Sequence, residues 1–503
     1  MQPPRFLALL GLGLLAPSGA LAAVDGLCPI MGAVLPAPTQ PASHAAVQKA
    51  LEKFKTTVEQ IVGGLNRTAV SVAVKSIHES SPLFELHHTP STLDPRGVKK
   101  VDANSVYRLG SISKIFPVLA LLKLDGVSLD DKVTKYLPEL RTLGDQASVR
   151  NVVSQVEWDE ITLGALASHL SGVGADYAID FANFPGFDAA QRGLPPKKNI
   201  TNPGCAGIPG TRPCTEQDFF KGFGSRAPVF APFSAPAYSN IGSPLLSFVV
   251  ERLTNKSYPD FFKAAVLRPL GLNDTGAKKP ADSRGVIPLN DTWWSTDIGF
   301  ETAAGGFYST PNNMLKFGDA ILSNKILSPA ATRKWLKPMT NTASLGTQLG
   351  APWEIFRATN VTRDQRAVEI ITKGGDLFNY RSTLAMVPDY GLVFTVLLGG
   401  DAAEKGILRL YPASGLAAAR RQAWRGVYSV GTPEKIAEDD ALFPWQQNRC
   451  VTWASTDRDV YGLQALDRFV FNVGKEDCKG AGVSESLEMP AYQVRMVKVA
   501  RDN

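Results

Sequence analysis

Cysteine is scarce in this chain, with five residues in 503. That is too few for a disulfide framework, so the fold has to rest on a hydrophobic core, which a chain of this length can build. Histidine is equally thin, at His44, His78, His87, His88 and His169. None of these forms an H-x-x-x-H or H-x-H set, and His87 and His88, adjacent in an expected strand, face opposite sides. A zinc site is therefore not expected, and nothing in the sequence calls for a cofactor. The net charge of +6 is mild and lacks the basic clusters with interleaved aromatics that would indicate nucleic acid. Beyond the first residues no run approaches the ~18 apolar residues of a spanning helix, so no membrane span is expected.

What is present begins with an export signal. Arg5 precedes the apolar run Phe6 to Leu15, and Ala20-Leu-Ala22 supplies small residues before Ala23. Residues 1–22 read as a signal peptide and predict a secreted protein. Sequons at Asn66, Asn199, Asn255, Asn273, Asn290 and Asn360 agree with a glycosylated product of that route. Cys205 and Cys214 are close enough to staple one loop, Cys450 and Cys478 could staple the C-terminal region, and Cys28 is left over. A bridge from Cys28 to any of the others stays open.

Beyond a Pro-rich leader, Ser43 can cap a helix in which Val47, Leu51, Phe54, Val58 and Ile61 recur at helical spacing until Gly63-Gly64. Ala69 to Val74 alternates as a strand, with Leu83 to Leu86 as its hairpin partner. A helix at Ser111 follows, carrying Pro117 where a kink or a loosened hydrogen bond is expected. Thr162 to Leu170 reads as a short helix, and Gly172 to Pro236 as a lid or an insertion tied by the Cys205/Cys214 pair. Further helices are expected at Pro244 to Arg252, Tyr258 to Val266 and Gly415 to Trp424. Ser382 to Val387 and Leu392 to Leu398 form a hairpin through Pro388-Asp-Tyr-Gly391. The order predicts an α+β fold, one sheet built from both ends of the chain with a helical region inserted. Residues 23–424 form the main domain and residues 425–503 a small β-rich appendage.

Within this frame, Ser111 and Lys114 stand three residues apart at a helix start. Such a pair shares a helix face, and a buried lysine can lose its proton and act as a base toward a neighbouring hydroxyl. Downstream come Tyr238-Ser-Asn240, just before a helix, and Lys373-Gly-Gly-Asp376, just before the terminal hairpin.

The order S-x-x-K, Y-x-N, K-x-G resembles that of serine β-lactamases and penicillin-binding proteins, and most closely the class C β-lactamase-like branch and its secreted fungal members with a small C-terminal domain. Arg108 to Lys114, Leu129 to Leu140, Ala167 to Gly172, Thr302 to Thr310 and Thr372 to Tyr380 carry the resemblance, which spans about Ala69 to Gly400. It implies a β-lactamase/transpeptidase-like fold: an antiparallel sheet flanked by helices, plus an all-helical lobe, with the serine between them. It also implies that Ser111 is acylated, and that Lys114 and Tyr238 relay its proton. Asn240 would orient the substrate carbonyl group or Lys114, Lys373 would supply positive field, and the Gly375-Asp376 backbone would complete an oxyanion hole with the Ser111 N–H. His169 is expected to be a packed helix residue, and Glu301 an ordinary surface or supporting carboxylate.

One departure stands out. The third motif lacks the hydroxyl of Lys-Thr-Gly and adds an acid, which should weaken binding of an anionic antibiotic. The expectation is a serine hydrolase acting on a small-molecule or peptide ester or amide. An acyltransferase using the same serine, or a non-catalytic binding protein on the same fold, remain as alternatives, and oligomeric state is left open.

Overall fold

The computed structural model describes residues 37–143, 155–177, 205, 209–223, 226–359, 361 and 366–404, together with the backbone of five strands between 460 and 497. The expected signal peptide, Cys28, Cys450, Cys478, Asn199, Asn360, the helix at Gly415 to Trp424 and the boundary at residue 425 lie outside the described residues.

Helix α1 (Ala45–Val62) is the first α-helix of the described residues. Its cap is His44, whose Nδ1 accepts from the Ala46 N–H; the expected Ser43 belongs instead to a preceding 3₁₀ turn, Pro41–Ser43. Strands β1 (Thr68–Ser76) and β2 (Phe84–His88) pair antiparallel as the alternation predicts. After a two-residue strand β3 (Tyr107–Arg108), the chain makes a 3₁₀ turn, Gly110–Lys114, and continues as α2 (Ile115–Leu122). Pro117 therefore falls in the first α-helical turn, where an N–H has no intrahelical acceptor to lose. The expected disturbance is absorbed by placing the 3₁₀-to-α change before the proline.

A helical region follows: α3 (Leu163–Ala167), α4 (Glu216–Gly222), α5 (Gly242–Thr254) and α6 (Tyr258–Phe262), the last running into a π turn, Lys263–Leu267. Helix α3 is shorter than its sequence suggests, because His169 takes a left-handed conformation (φ 62°) just after it. Phe116 of α2 packs against Phe262, Phe307 and Phe317, with ring centroids 4.8–5.5 Å apart. Each buried aromatic of this kind contributes roughly 1.5–3 kcal/mol by leaving water. This cluster binds the helical region to the sheet.

The chain returns through α7 (Thr302–Gly305), β4 (Tyr308–Ser309) and α8 (Pro311–Leu322). It then builds β5 (Thr340–Asn341), β6 (Thr347–Leu349), β7 (Glu354–Ala358), β8 (Val368–Leu377), β9 (Tyr380–Val387) and β10 (Leu392–Gly400). These complete an eight-stranded antiparallel sheet of order β2-β1-β10-β9-β8-β7-β6-β5. β1 pairs with β10, so both ends of this region close one sheet. Because strand residues alternate sides, Val70, Val72 and Val74 join α1 residues Val58 and Val62 in one core, while Ala69 and Ala73 face the helical region in the other. Residues 460–497 contain two small antiparallel sheets, in keeping with a β-rich C-terminal segment.

Candidate active site

Ser111 is the second residue of the 3₁₀ turn, and Lys114 is its last. With three residues per turn, positions i and i+3 of a 3₁₀ helix eclipse, so Lys114 lies directly over the serine and its Nζ is 2.9 Å from Ser111 Oγ. Gly110 lets strand β8 approach this turn: it sits at φ +52°, and a Cβ there would stand 2.8 Å from the Asp376 N. Ser111 keeps partial exposure while Lys114 is fully buried. The nucleophile is reachable and its base is dry.

Lys114 Nζ also donates to Asn240 Oδ1 at 2.7 Å and to the Ala304 carbonyl at 2.9 Å. A buried ammonium needs all three N–H groups satisfied, and these acceptors with Ser111 Oγ do so. Once neutral, the amine can keep both fixed acceptors and turn its lone pair toward Ser111. Burial, with the nearby Lys373 charge, holds the Lys114 pKa below its ordinary range, partly opposed by Tyr238.

The Tyr238 hydroxyl lies 2.7 Å from Ser111 Oγ on the other side. The loop after α3 fixes it: His169 O accepts from Ala237 N, His169 Nδ1 accepts from Ser239 N, and the imidazole stacks on the Tyr238 ring at 4.5 Å. Burial alone would raise the Tyr238 pKa, but the Lys114 and Lys373 charges and hydrogen bonding with Lys114 and Ser111 outweigh it, leaving the phenol below its usual value. His169 is held neutral by burial and by the same two lysines. It is not a helix residue as expected, but a stacking platform two residues beyond the helix.

Lys373, only 1% exposed, pairs with Glu354 at 2.7 Å and lies 5.5 Å from the Tyr238 ring centroid. The Gly375-Asp376 backbone presses against the Ser111 turn: a Cβ on Gly375 would strike Leu109 O and stand 3.0 Å from Ser111 N. That contact brings the backbone of Ser111 and Asp376 to one place, the requirement for a shared oxyanion pocket. The Asp376 side chain is exposed and pairs with Arg381 at 2.8 Å.

The other segments that carry the resemblance serve this assembly. β3 pairs with β4, placing Arg108 opposite Tyr308, and Phe307 N donates to Ser113 Oγ. The turn before them positions Ala304 O under Lys114. Glu301, read from sequence as an ordinary surface or supporting carboxylate, sits beside Lys114 and Asp176; burial and the Asp176 charge push its pKa up to about 8, with Lys114 opposing. Two residues carried no sequence signal of a role here. Asp176 accepts from Asn240 Nδ2 at 2.6 Å, which aims the amide oxygen at Lys114. Glu354 was legible only as a lone acid between buried Trp353 and Ile355.

The β-lactamase family profile matches residues 54–414. The chain belongs to that family. A second profile, described as a β-lactamase-like C-terminal domain, matches residues 386–500. A β-lactamase-like protein of Arthroderma benhamiae is 33% identical, covering 84% of this chain and 72% of its own. A probable hydrolase of Phoma sp. is 25% identical over 73% of this chain, which spans 61% of that relative's length. Among solved structures, a class C β-lactamase of Rhodobacter sphaeroides superposes with TM-score 0.51 at 19% identity, covering 75% of this chain and 99% of its own. A D-amino acid amidase of Ochrobactrum anthropi gives 0.51 at 18%, covering 75% and 98%. These likenesses share the fold, so the β-lactamase/transpeptidase-like architecture stands, and the family is one of serine hydrolases.

Proposed function

We propose that the protein is a secreted serine hydrolase that cleaves an ester or amide through an acyl-enzyme on Ser111. The observation that carries this reading is the position of Ser111 Oγ between two proton-accepting groups, Lys114 Nζ at 2.9 Å and Tyr238 Oη at 2.7 Å.

Attack of Ser111 Oγ on the carbonyl forms one C–O bond as the hydroxyl proton passes to the Lys114/Tyr238 pair. The carbonyl oxygen becomes an oxyanion facing the Ser111 and Asp376 N–H groups, each such donor being worth ~3–4 kcal/mol. Collapse breaks the bond to the leaving alcohol or amine, which takes the proton from the same pair. Water then repeats the sequence, giving its proton to the pair and releasing the acid, and Ser111 regains its hydrogen. Neutral His169 stacks behind Tyr238 and takes no proton.

Secretion is supported by the export pattern in residues 1–22, by the Cys205–Cys214 disulfide and by the exposure of the sequon residues Asn66, Asn255, Asn273 and Asn290. Among the described residues no helix is long and apolar enough to cross a membrane.

A fluorophosphonate probe tests the reading: it should label Ser111 in the folded protein and leave Ser111→Ala unlabelled. Folded wild-type protein that resists the probe and turns over no ester or amide would remove the hydrolase assignment.

A further inference from the structure

The ion pair between Lys373 and Glu354 has consequences for what the site accepts. Glu354 lies on β7 and Lys373 on β8, in register through Glu354 opposite Thr372. Glu354 Oε1 is 2.7 Å from Lys373 Nζ, and Oε2 accepts from the Gly374 N–H at 3.1 Å. Lys373 also donates to the Gly374 carbonyl at 2.8 Å. Its charge is thus spoken for by a carboxylate within the protein. The glycine matters as well: a Cβ on Gly374 would meet a single neighbour within 4 Å, Glu354 Oε2 at 3.4 Å. The carboxylate stands where a side chain at 374 would project.

A second acid flanks the oxyanion pocket from the same strand. The Asp376 side chain is 58% exposed and faces Arg381, whose guanidinium it pairs at 2.8 Å. Lys373 on β8 and Arg381 on β9 are each matched by a carboxylate. A substrate carrying a carboxylate near its scissile carbonyl would have to face Glu354 and Asp376 at close range, and like charges so placed are strongly unfavourable. Lys373 meanwhile keeps its charge, and so still lowers the Tyr238 pKa.

We propose that Glu354 is a specificity-determining residue that makes this site take acyl substrates neutral or cationic around the scissile carbonyl and reject anionic ones. This rests on the hydrolase reading above. Glu354 acts in two ways: it cancels the Lys373 charge toward substrate, and it fills the space in front of Gly374 with negative charge.

The test compares kcat/KM for three esters of similar size: para-nitrophenyl butyrate, para-nitrophenyl trimethylammoniobutyrate and para-nitrophenyl hydrogen glutarate. The wild type should cleave the neutral and cationic esters at least about tenfold faster than the anionic one, the scale of one poorly solvated like-charge contact. Glu354→Gln should narrow the neutral-to-anionic ratio by about the same factor, and Glu354→Asp, which keeps the charge, should retain the preference. Ratios within one preparation are unaffected by a partly unfolded fraction. Wild-type cleavage of all three at one rate, or a preference for the anion, overturns the proposal without any variant. An unchanged ratio in folded Glu354→Gln overturns it too. Failure of all three esters with Ser111 unlabelled by an acylating probe overturns the hydrolase reading instead, and this selectivity with it.

Discussion

The Tyr238 hydroxyl and the Ser111 hydroxyl meet at 2.7 Å although 127 positions separate them in the chain. Tyr238 reaches the serine from the loop before α5, Lys114 from within the serine's own turn, and the two approach Oγ independently. The nucleophile thus has two proton acceptors with different pKa controls: burial dominates at Lys114, and the lysine charges prevail at Tyr238.

Tyr238→Phe preserves the ring stack on His169 but removes one acceptor, so kcat should fall by roughly 10²–10⁴. The Tyr238 interaction raises the Lys114 pKa, and its loss lets burial depress that pKa further. The ascending limb of the pH–rate profile, read from initial rates on an activated ester, should therefore move to lower pH. A shift to higher pH would contradict this account of the pair.

Asp176 holds the Asn240 amide and adds negative charge near Lys114. Asp176→Asn should shift the same limb to lower pH, since the field that favours the charged lysine is weakened, and should lower kcat by about tenfold through a mobile Asn240. KM should change little. A variant with unaltered kcat and pH profile would show that Asp176 only fills space.

Gly375→Ala forces a methyl group toward Leu109 O and the Ser382 hydroxyl. Strand β8 must then withdraw from the Ser111 turn, separating the two N–H groups. We expect kcat lower by about 10²-fold, as for loss of one oxyanion donor, with Ser111 still labelled slowly by a fluorophosphonate.

Glu301 gives a stability test. An acid whose folded pKa is raised, here from 4.5 to about 8, keeps its proton in the fold where the unfolded chain has released it. The unfolded state binds fewer protons across that window, so stability falls as pH rises from about 4.5 to about 8. Glu301→Gln cannot ionise and should be more stable than wild type by on the order of 1–3 kcal/mol near pH 8, with the difference vanishing near pH 4. Thermal melts across this range measure it; parallel wild-type and variant curves would place the carboxyl in water.

The Cys205–Cys214 disulfide closes a loop of sequence separation 9, worth about 2–3 kcal/mol by chain entropy. Cys214 O accepts from Phe300 N, next to Glu301. A Cys205→Ser/Cys214→Ser variant should lose stability on that scale in denaturant titration.

Much of this was legible beforehand. The hairpin β9–β10 follows from Pro388-Asp-Tyr-Gly391, whose glycine takes φ 59°, because local turn chemistry is written in adjacent residues. Ser111, Lys114, Tyr238, Asn240, Lys373, Gly375 and Asp376 were all named from motif order, and the structure brings them to one place. Helix α3 was overextended because its end depends on His169, bent back to stack on Tyr238 from a distant segment. Glu301 was read as a surface or supporting carboxylate, and the sequence left the choice open because its neighbours Lys114 and Asp176 come from elsewhere in the chain.

The sequence by itself determined which groups were available: a serine and a lysine at a spacing that any tight helical turn converts into contact, a tyrosine and a lysine in family order, and strands marked by their alternation and turn residues. Only the tertiary structure decided their charges. Glu354 meets Lys373 across a strand register, and Asp176 meets Lys114 through Asn240. Such pairings depend on distances of a few ångström between segments far apart in sequence, and electrostatic energies in a dry interior change steeply over such distances.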